Sequence, residues 1–111
     1  EILLRLREIA DKYHQNIVNF GHAGDGNIHV NIMLDGNDKN QVEKAEQAVE
    51  EIFRETLELG GTLSGEHGIG ITKSPYISME MGSSGVEMIQ RVKRAFDPNL
   101  CLNPGKIIPW D

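Results

Sequence analysis

The chain is short of the features that would assign it to several large classes. It holds one cysteine, Cys101, in 111 residues, so an internal disulfide is excluded and a reducing compartment is compatible. No apolar run approaches the roughly 20 residues of a membrane-spanning helix, and no secretory leader pattern is visible. Basic residues are few and scattered, 11 against 17 acidic, for a net charge of −6. That balance argues against a nucleic-acid partner. The one basic cluster, Arg91, Lys93 and Arg94, reads as the solvated face of a helix. There are no internal repeats and no low-complexity stretches. The first residue is not Met, and the opening EILLRLREIADKYH reads as mid-helix, so we take the chain as a segment of a longer protein with one domain's worth of residues.

The organisation reads as mixed α and β. Residues 1–14 carry Ile2, Leu3, Leu6, Ile9, Ala10 and Tyr13 at helical spacing. Residues 17–23 and 28–34 alternate as a hairpin, with Ile17, Ile28, Val30, Ile32 and Leu34 on one face and His22, His29 and Asn31 on the other. A polar turn, DGNDKN, leads to a helix start at Asn37 or Asp38. Residues 39–59 form an amphipathic helix with Val42, Ala45, Val49, Ile52, Phe53 and Thr56 inward and an acidic outer face, ended by Gly60-Gly61. GTLSGEHGIGI reads as a short strand running into a loop. Residues 83–96 form a third helix, capped by Ser83 or Ser84, with Val86, Ile89, Val92 and Phe96 inward. The remainder, DPNLCLNPGKIIPW, is an ordered tail in which Cys101 packs among apolar neighbours.

The chemistry concentrates in the glycine-rich segments. In GHAGDGNIHVN, a two-residue type I′ turn at Asp25-Gly26 would set Gly24 opposite Asn27, Ala23 opposite Ile28 and His22 opposite His29. Directly opposed residues share a face with Cβ atoms roughly 4.5–5.5 Å apart. Two imidazoles so placed can reach one cation over bonds of about 2 Å. The plain alternative is an ordinary polar cross-strand pair. Asn31 lies two residues beyond His29 on the same face and can donate an amide hydrogen to a substrate. Asp25 and Asn27 read as turn formers, Asn27 being suited to left-handed backbone. Between glycines further on stand Glu66 and His67. Neighbours in an extended chain point to opposite faces, so both can ligate one metal only if the backbone bends. Another division gives Glu66 to the metal and leaves His67 as a general base. Lys73 and Lys106 offer isolated cations for a carboxylate or phosphate. GHAGDGN is no dinucleotide fingerprint, because it joins two strands instead of a strand to a helix.

Three stretches, GHAGDGNIHVNIM, GGTLSGEHGIGITK and RVKRAFDPNLCLNPGKIIP, closely resemble in order and spacing the C-terminal part of the FAD-linked oxidases of the vanillyl-alcohol oxidase superfamily. The resembling branch includes the glycolate oxidase FAD-linked subunit and the D-lactate and D-2-hydroxyglutarate dehydrogenases. The resemblance implies an α+β fold: the second half of a ferredoxin-like cap with helices on one face of an antiparallel sheet over residues 1–80, then a C-terminal helix and tail over residues 81–111. It implies metal ligands at His22, His29 and Glu66, a catalytic base at His67, substrate contact at Asn31, and Asn103 and Lys106 near the flavin. The implied cofactors are FAD and a divalent metal, zinc or a relative. The implied substrate is a small 2-hydroxy acid, glycolate or D-lactate. Nothing in the 111 residues resembles the family's FAD phosphate loop, so the FAD-binding domain is expected elsewhere in the same polypeptide and this part alone is expected to have no turnover. An exposed sheet edge leaves room for a homodimer of the fragment. The expected location is cytoplasmic, or peripheral to the membrane through partner subunits. Two rivals stay open: a flavin-free metal-binding or structural module, and a metallohydrolase with a His-His-Glu site.

Overall fold

The computed structural model describes residues 1–110 and divides into two compact units, Glu1–Glu66 and a second beginning at His67. The architecture is α+β, as the alternation of periodicities predicts. In order come α1 (Ile2–Tyr13), β1 (Asn16–His22), β2 (Asn27–Met33), α2 (Lys39–Glu58), a 3₁₀ turn at Ser74–Tyr76 and α3 (Ile77–Phe96). Among the described residues no helix is long and apolar enough to cross a membrane.

In the first unit, β1 and β2 form a two-stranded antiparallel sheet, and its core lies against one face. Leu6 and Ile9 of α1 and Ala48 and Ile52 of α2 are buried together, with Ile17, Val30 and Ile32 packed on them. Ile17 stands opposite Ile32 in the register, and Val30 lies two residues along on the same side. The sheet is therefore half-covered: α1 and α2 hold its apolar face and leave the other open. Ala45 and Ala48 of α2 are both buried, Ala48 within this cluster. Charges tie the same helices along their outer seam. Arg5 pairs with Glu55, and the Lys12 Nζ and Tyr13 hydroxyl donate to Glu51 at 2.7 and 2.6 Å.

The helix ends follow from local chemistry. Asp38 caps α2, its carboxylate accepting from the Asn40 and Gln41 N–H groups at 3.0 and 3.3 Å, which satisfies two of the orphan donors of the first turn. At the other end Gly60 takes φ 79°. The Gly61 N–H then returns to the Thr56 carbonyl at 2.9 Å, the glycine C-cap that the sequence predicts.

Several expectations are corrected. The hairpin loop is four residues long, not two. His22 faces Asn27 and Phe20 faces His29. The Asp25 N–H bonds to the His22 carbonyl at 3.0 Å and Gly26 takes φ 69°, so a wider loop uses the glycine's left-handed freedom at its last position. As a consequence Asn27 is a strand residue and no turn former. The segment GTLSGEHGIGI forms bends and turns with no strand. Its glycines at 65, 68 and 70 carry no side chain to pack on a sheet, and Gly68 and Gly70 have positive φ, which strand pairing does not accommodate.

In the second unit the helix begins earlier than expected, at Ile77, behind the Ser74–Tyr76 turn that Pro75 opens. Gly82, at φ 64° and ψ 174°, breaks it, so residues from Ser83 on correspond to the expected helix. Of its expected inward residues Val86 and Ile89 are half-buried, whereas Val92 and Phe96 are exposed, Phe96 by 86%. The tail explains this. It returns along the side of Gln90 and Arg94, with Gln90 donating to the Pro109 carbonyl and Arg94 over the Trp110 ring. Met88, Val92 and Phe96, four residues apart, are left uncovered. Cys101 is exposed and not packed. Asp97 closes the helix. Its carboxylate accepts from Lys93 Nζ at 2.5 Å and from the Leu102 and Cys101 N–H groups at 2.8 and 3.0 Å, and these three donors, Lys93 first, hold its pKa below the usual carboxylate value.

Candidate metal centre

The open face of the hairpin carries the polar residues singled out in the sequence. His22 and Phe20 project from β1, and Asn27, His29 and Asn31 from β2, because alternate residues share a face. The register shift of two residues changes which residues oppose each other and preserves the face. His22 and His29 thus lie diagonally, with ring centroids 6.4 Å apart and planes at 68°. Two imidazoles on one cation, each centroid roughly 3 Å from the metal, stand no more than about 6 Å apart, so the His22 ring must swing closer before both reach one ion. Val18, Phe20 and Met33 are exposed on the same face.

Glu66 reaches this face from the loop after α2. Its Oε1 lies 3.6 Å from His29 Nε2. Its Oε2 accepts a hydrogen bond of 3.0 Å from the Asn27 amide. His29 is half-buried, with its ring stacked on Phe20 at a centroid distance of 5.0 Å. His22, Asn31 and Glu66 are exposed. The chain bends through residues 65–67. His67 opens the second unit. In that unit Asn103 has φ 47° and is exposed, and the exposed Lys106 donates to the Pro104 carbonyl at 3.3 Å.

Asn27 joins this site from the first position of β2. Next to Gly26 it resembles a turn former. The signal that could have found it is its parity with His29, two residues on.

The profile of the family described as "FAD linked oxidases, C-terminal domain" matches residues 1–107. The chain is similar to the glycolate oxidase subunit GlcD of Bacillus subtilis (strain 168), 46% identical over 106 residues, covering 96% of this chain and 23% of that protein. It is 36% identical over 109 residues to a mitochondrial D-lactate dehydrogenase [cytochrome] of Arabidopsis thaliana, covering 98% of this chain and 19% of that protein. With the D-2-hydroxyglutarate dehydrogenase of Stutzerimonas stutzeri it shares 41% identity over 93 residues, 82% of this chain and 20% of that protein. The chain therefore spans about a fifth of the length of these relatives. On the profile match and these identities together, the chain belongs to the C-terminal domain family of the FAD linked oxidases.

Proposed function

We propose that this chain supplies the metal ligands and the catalytic base of an FAD-dependent 2-hydroxyacid dehydrogenase acting on glycolate or D-lactate. The observation that carries the reading is the approach of His29 Nε2 and Glu66 Oε1 to 3.6 Å on the open face of the hairpin. Two ligands each about 2 Å from one cation stand no more than about 4 Å apart, so this pair fits a shared divalent ion, and His22 on the same face is the third ligand. Imidazole and carboxylate together form a donor set suited to zinc. In the tail, Asn103 and Lys106 present the kinds of donor that a flavin's ring atoms accept.

A cation held by His29 and Glu66 would acidify the substrate hydroxyl, and a flavin would supply the hydride-accepting chemistry. His67 takes the hydroxyl proton. Asn31 donates its amide to a substrate oxygen and fixes which face of the substrate is presented. The FAD-binding domain belongs to the same polypeptide, and this part by itself has no turnover. Residues 1–80 serve as the cap half and residues 81–111 as the helix and tail.

The test uses the longest natural polypeptide that carries this chain, assayed against a panel of 2-hydroxy acids with a dye acceptor, with flavin absorbance and zinc content measured alongside. Glycolate or D-lactate turnover with bound flavin is expected. His67→Ala should lower kcat by about 10²–10⁴-fold and keep its zinc. Glu66→Ala and His29→Ala should lose zinc and activity together, since a ligand acts in every state and a base only in the transition state. Zinc-dependent hydrolysis without flavin would establish the metallohydrolase in place of this reading.

A further inference from the structure

Asn27 makes two close approaches at once. Its Nδ2 donates to Glu66 Oε2 at 3.0 Å, while the other oxygen of that carboxylate, Oε1, faces His29 Nε2 at 3.6 Å. At the other end of the amide, a Cβ built on Gly65 would stand 2.1 Å from Asn27 Oδ1 and 2.7 Å from its Cγ. The amide therefore occupies the volume that any side chain at position 65 would need. Glycine at 65 leaves the place, and Asn27 fills it.

We propose that Asn27 is a positioning residue of the metal centre: it ties down one carboxylate oxygen of Glu66 and leaves the other turned to His29 for a divalent cation. The inference rests on the metal reading above and adds a residue to it. An exposed glutamate samples many rotamers, and each loss of that freedom on binding costs affinity. A hydrogen bond from the protein to the far oxygen removes the freedom in advance, as outer partners of metal ligands do. The chemistry of the donor matters too. A lysine or arginine at position 27 would hold the carboxylate but offset its charge and repel the cation, and an aspartate would repel the carboxylate. A neutral amide orients Glu66 and leaves its charge for the metal.

The experiment is a zinc affinity measurement by chelator competition on the longest natural polypeptide that carries this chain. The variants are Asn27→Ala, Gly65→Ala and the double variant, with His29→Ala and Glu66→Ala as references. Asn27→Ala should weaken zinc by about 10–100-fold. Gly65→Ala should weaken it to a similar degree without touching a polar group, because the new methyl evicts the amide. The double variant should be no weaker than either single one, since the collision is gone once the amide is gone. A purely structural role for Asn27 would move thermal stability and leave zinc affinity alone. The inference is overturned if Asn27→Ala stays within twofold of the parent while His29→Ala and Glu66→Ala lose zinc, or if the two single penalties multiply. Should neither His29→Ala nor Glu66→Ala weaken zinc, the metal reading itself fails and takes this inference with it. Gly65→Ala supplies the same answer if Asn27→Ala does not fold.

Discussion

Phe20 stacks on His29 across the hairpin, with ring centroids 5.0 Å apart and planes inclined by 23°. The two residues are direct partners in the register, so the stack fixes the imidazole from the strand opposite. Phe20 is 57% exposed and contributes little to the core. Aromatic pairs of this kind are worth about 0.5–1.5 kcal/mol. Phe20→Ala should therefore weaken zinc binding by roughly two- to tenfold with an unchanged circular dichroism spectrum, and Phe20→Tyr should restore the affinity. Equal affinities for parent and Phe20→Ala would show that the stack does not hold the ligand.

Leu6 is fully buried between α1, α2 and the inner face of the sheet. Leu6→Ala leaves a cavity there and should cost about 2–5 kcal/mol, read as a fall in the urea midpoint. Zinc affinity of the protein that stays folded should not change, since Leu6 lies on the covered side of the sheet. A loss under 1 kcal/mol would mean that the core collapses around the gap.

The Asp97 clasp predicts a pH dependence. Its carboxyl pKa is depressed in the folded chain, first by Lys93 and then by the Leu102 and Cys101 N–H groups. A depressed carboxylate contributes stability that is present above its unfolded pKa, about 3.9, and that is lost as pH falls through the lower folded value. Glu51, held by Lys12 and Tyr13, is depressed in the same direction. Thermal midpoints of parent and Asp97→Asn should differ at neutral pH, the parent being the more stable, and should converge in acid. Parallel curves from pH 7 to pH 2 would remove the clasp from the account.

Gly21 sits in β1 at φ 150°, where a Cβ would meet the Asn27 carbonyl oxygen at 2.3 Å and the Ile28 Cα at 3.1 Å. Both obstacles are backbone and cannot swing aside. Gly21→Ala should destabilise the first unit by about 1–3 kcal/mol and, by spreading the strands beside Asn27, lower zinc affinity as well. Unaltered unfolding and unaltered zinc binding together would show that the hairpin accommodates the methyl.

The parts of the molecule that announce themselves in sequence are those where one physical signal acts alone. The helical period of Leu6, Ile9, Ala45 and Ile52 and the caps at Asp38 and Gly60 survive folding because nothing competes with them. The hairpin register departs from its sequence signal: Asp25-Gly26 is a strong two-residue turn signal, yet the chain closes a longer loop at the same glycine. The register differs by two residues, and a side-chain period of two keeps His22 and His29 on a common face. Val92 and Phe96 have the spacing of a core stripe, but spacing does not say which face of α3 the tail chooses. The contact of Asn27 with Glu66 joins residues 39 apart in sequence, beyond the reach of any local pattern.

A sheet of only two strands, covered on one side, acts as a partition. On its inner surface Ile17, Val30 and Ile32 pack on the helices, and on its outer surface stand the polar His22, His29 and Asn31. Because neighbouring positions alternate between the two surfaces, most side-chain changes on the strands bear on one surface and leave the other alone. A lineage can then change the outer residues one position at a time while the scaffold stays as it is. That division offers a physical reason why relatives named for glycolate, D-lactate and D-2-hydroxyglutarate can share one framework.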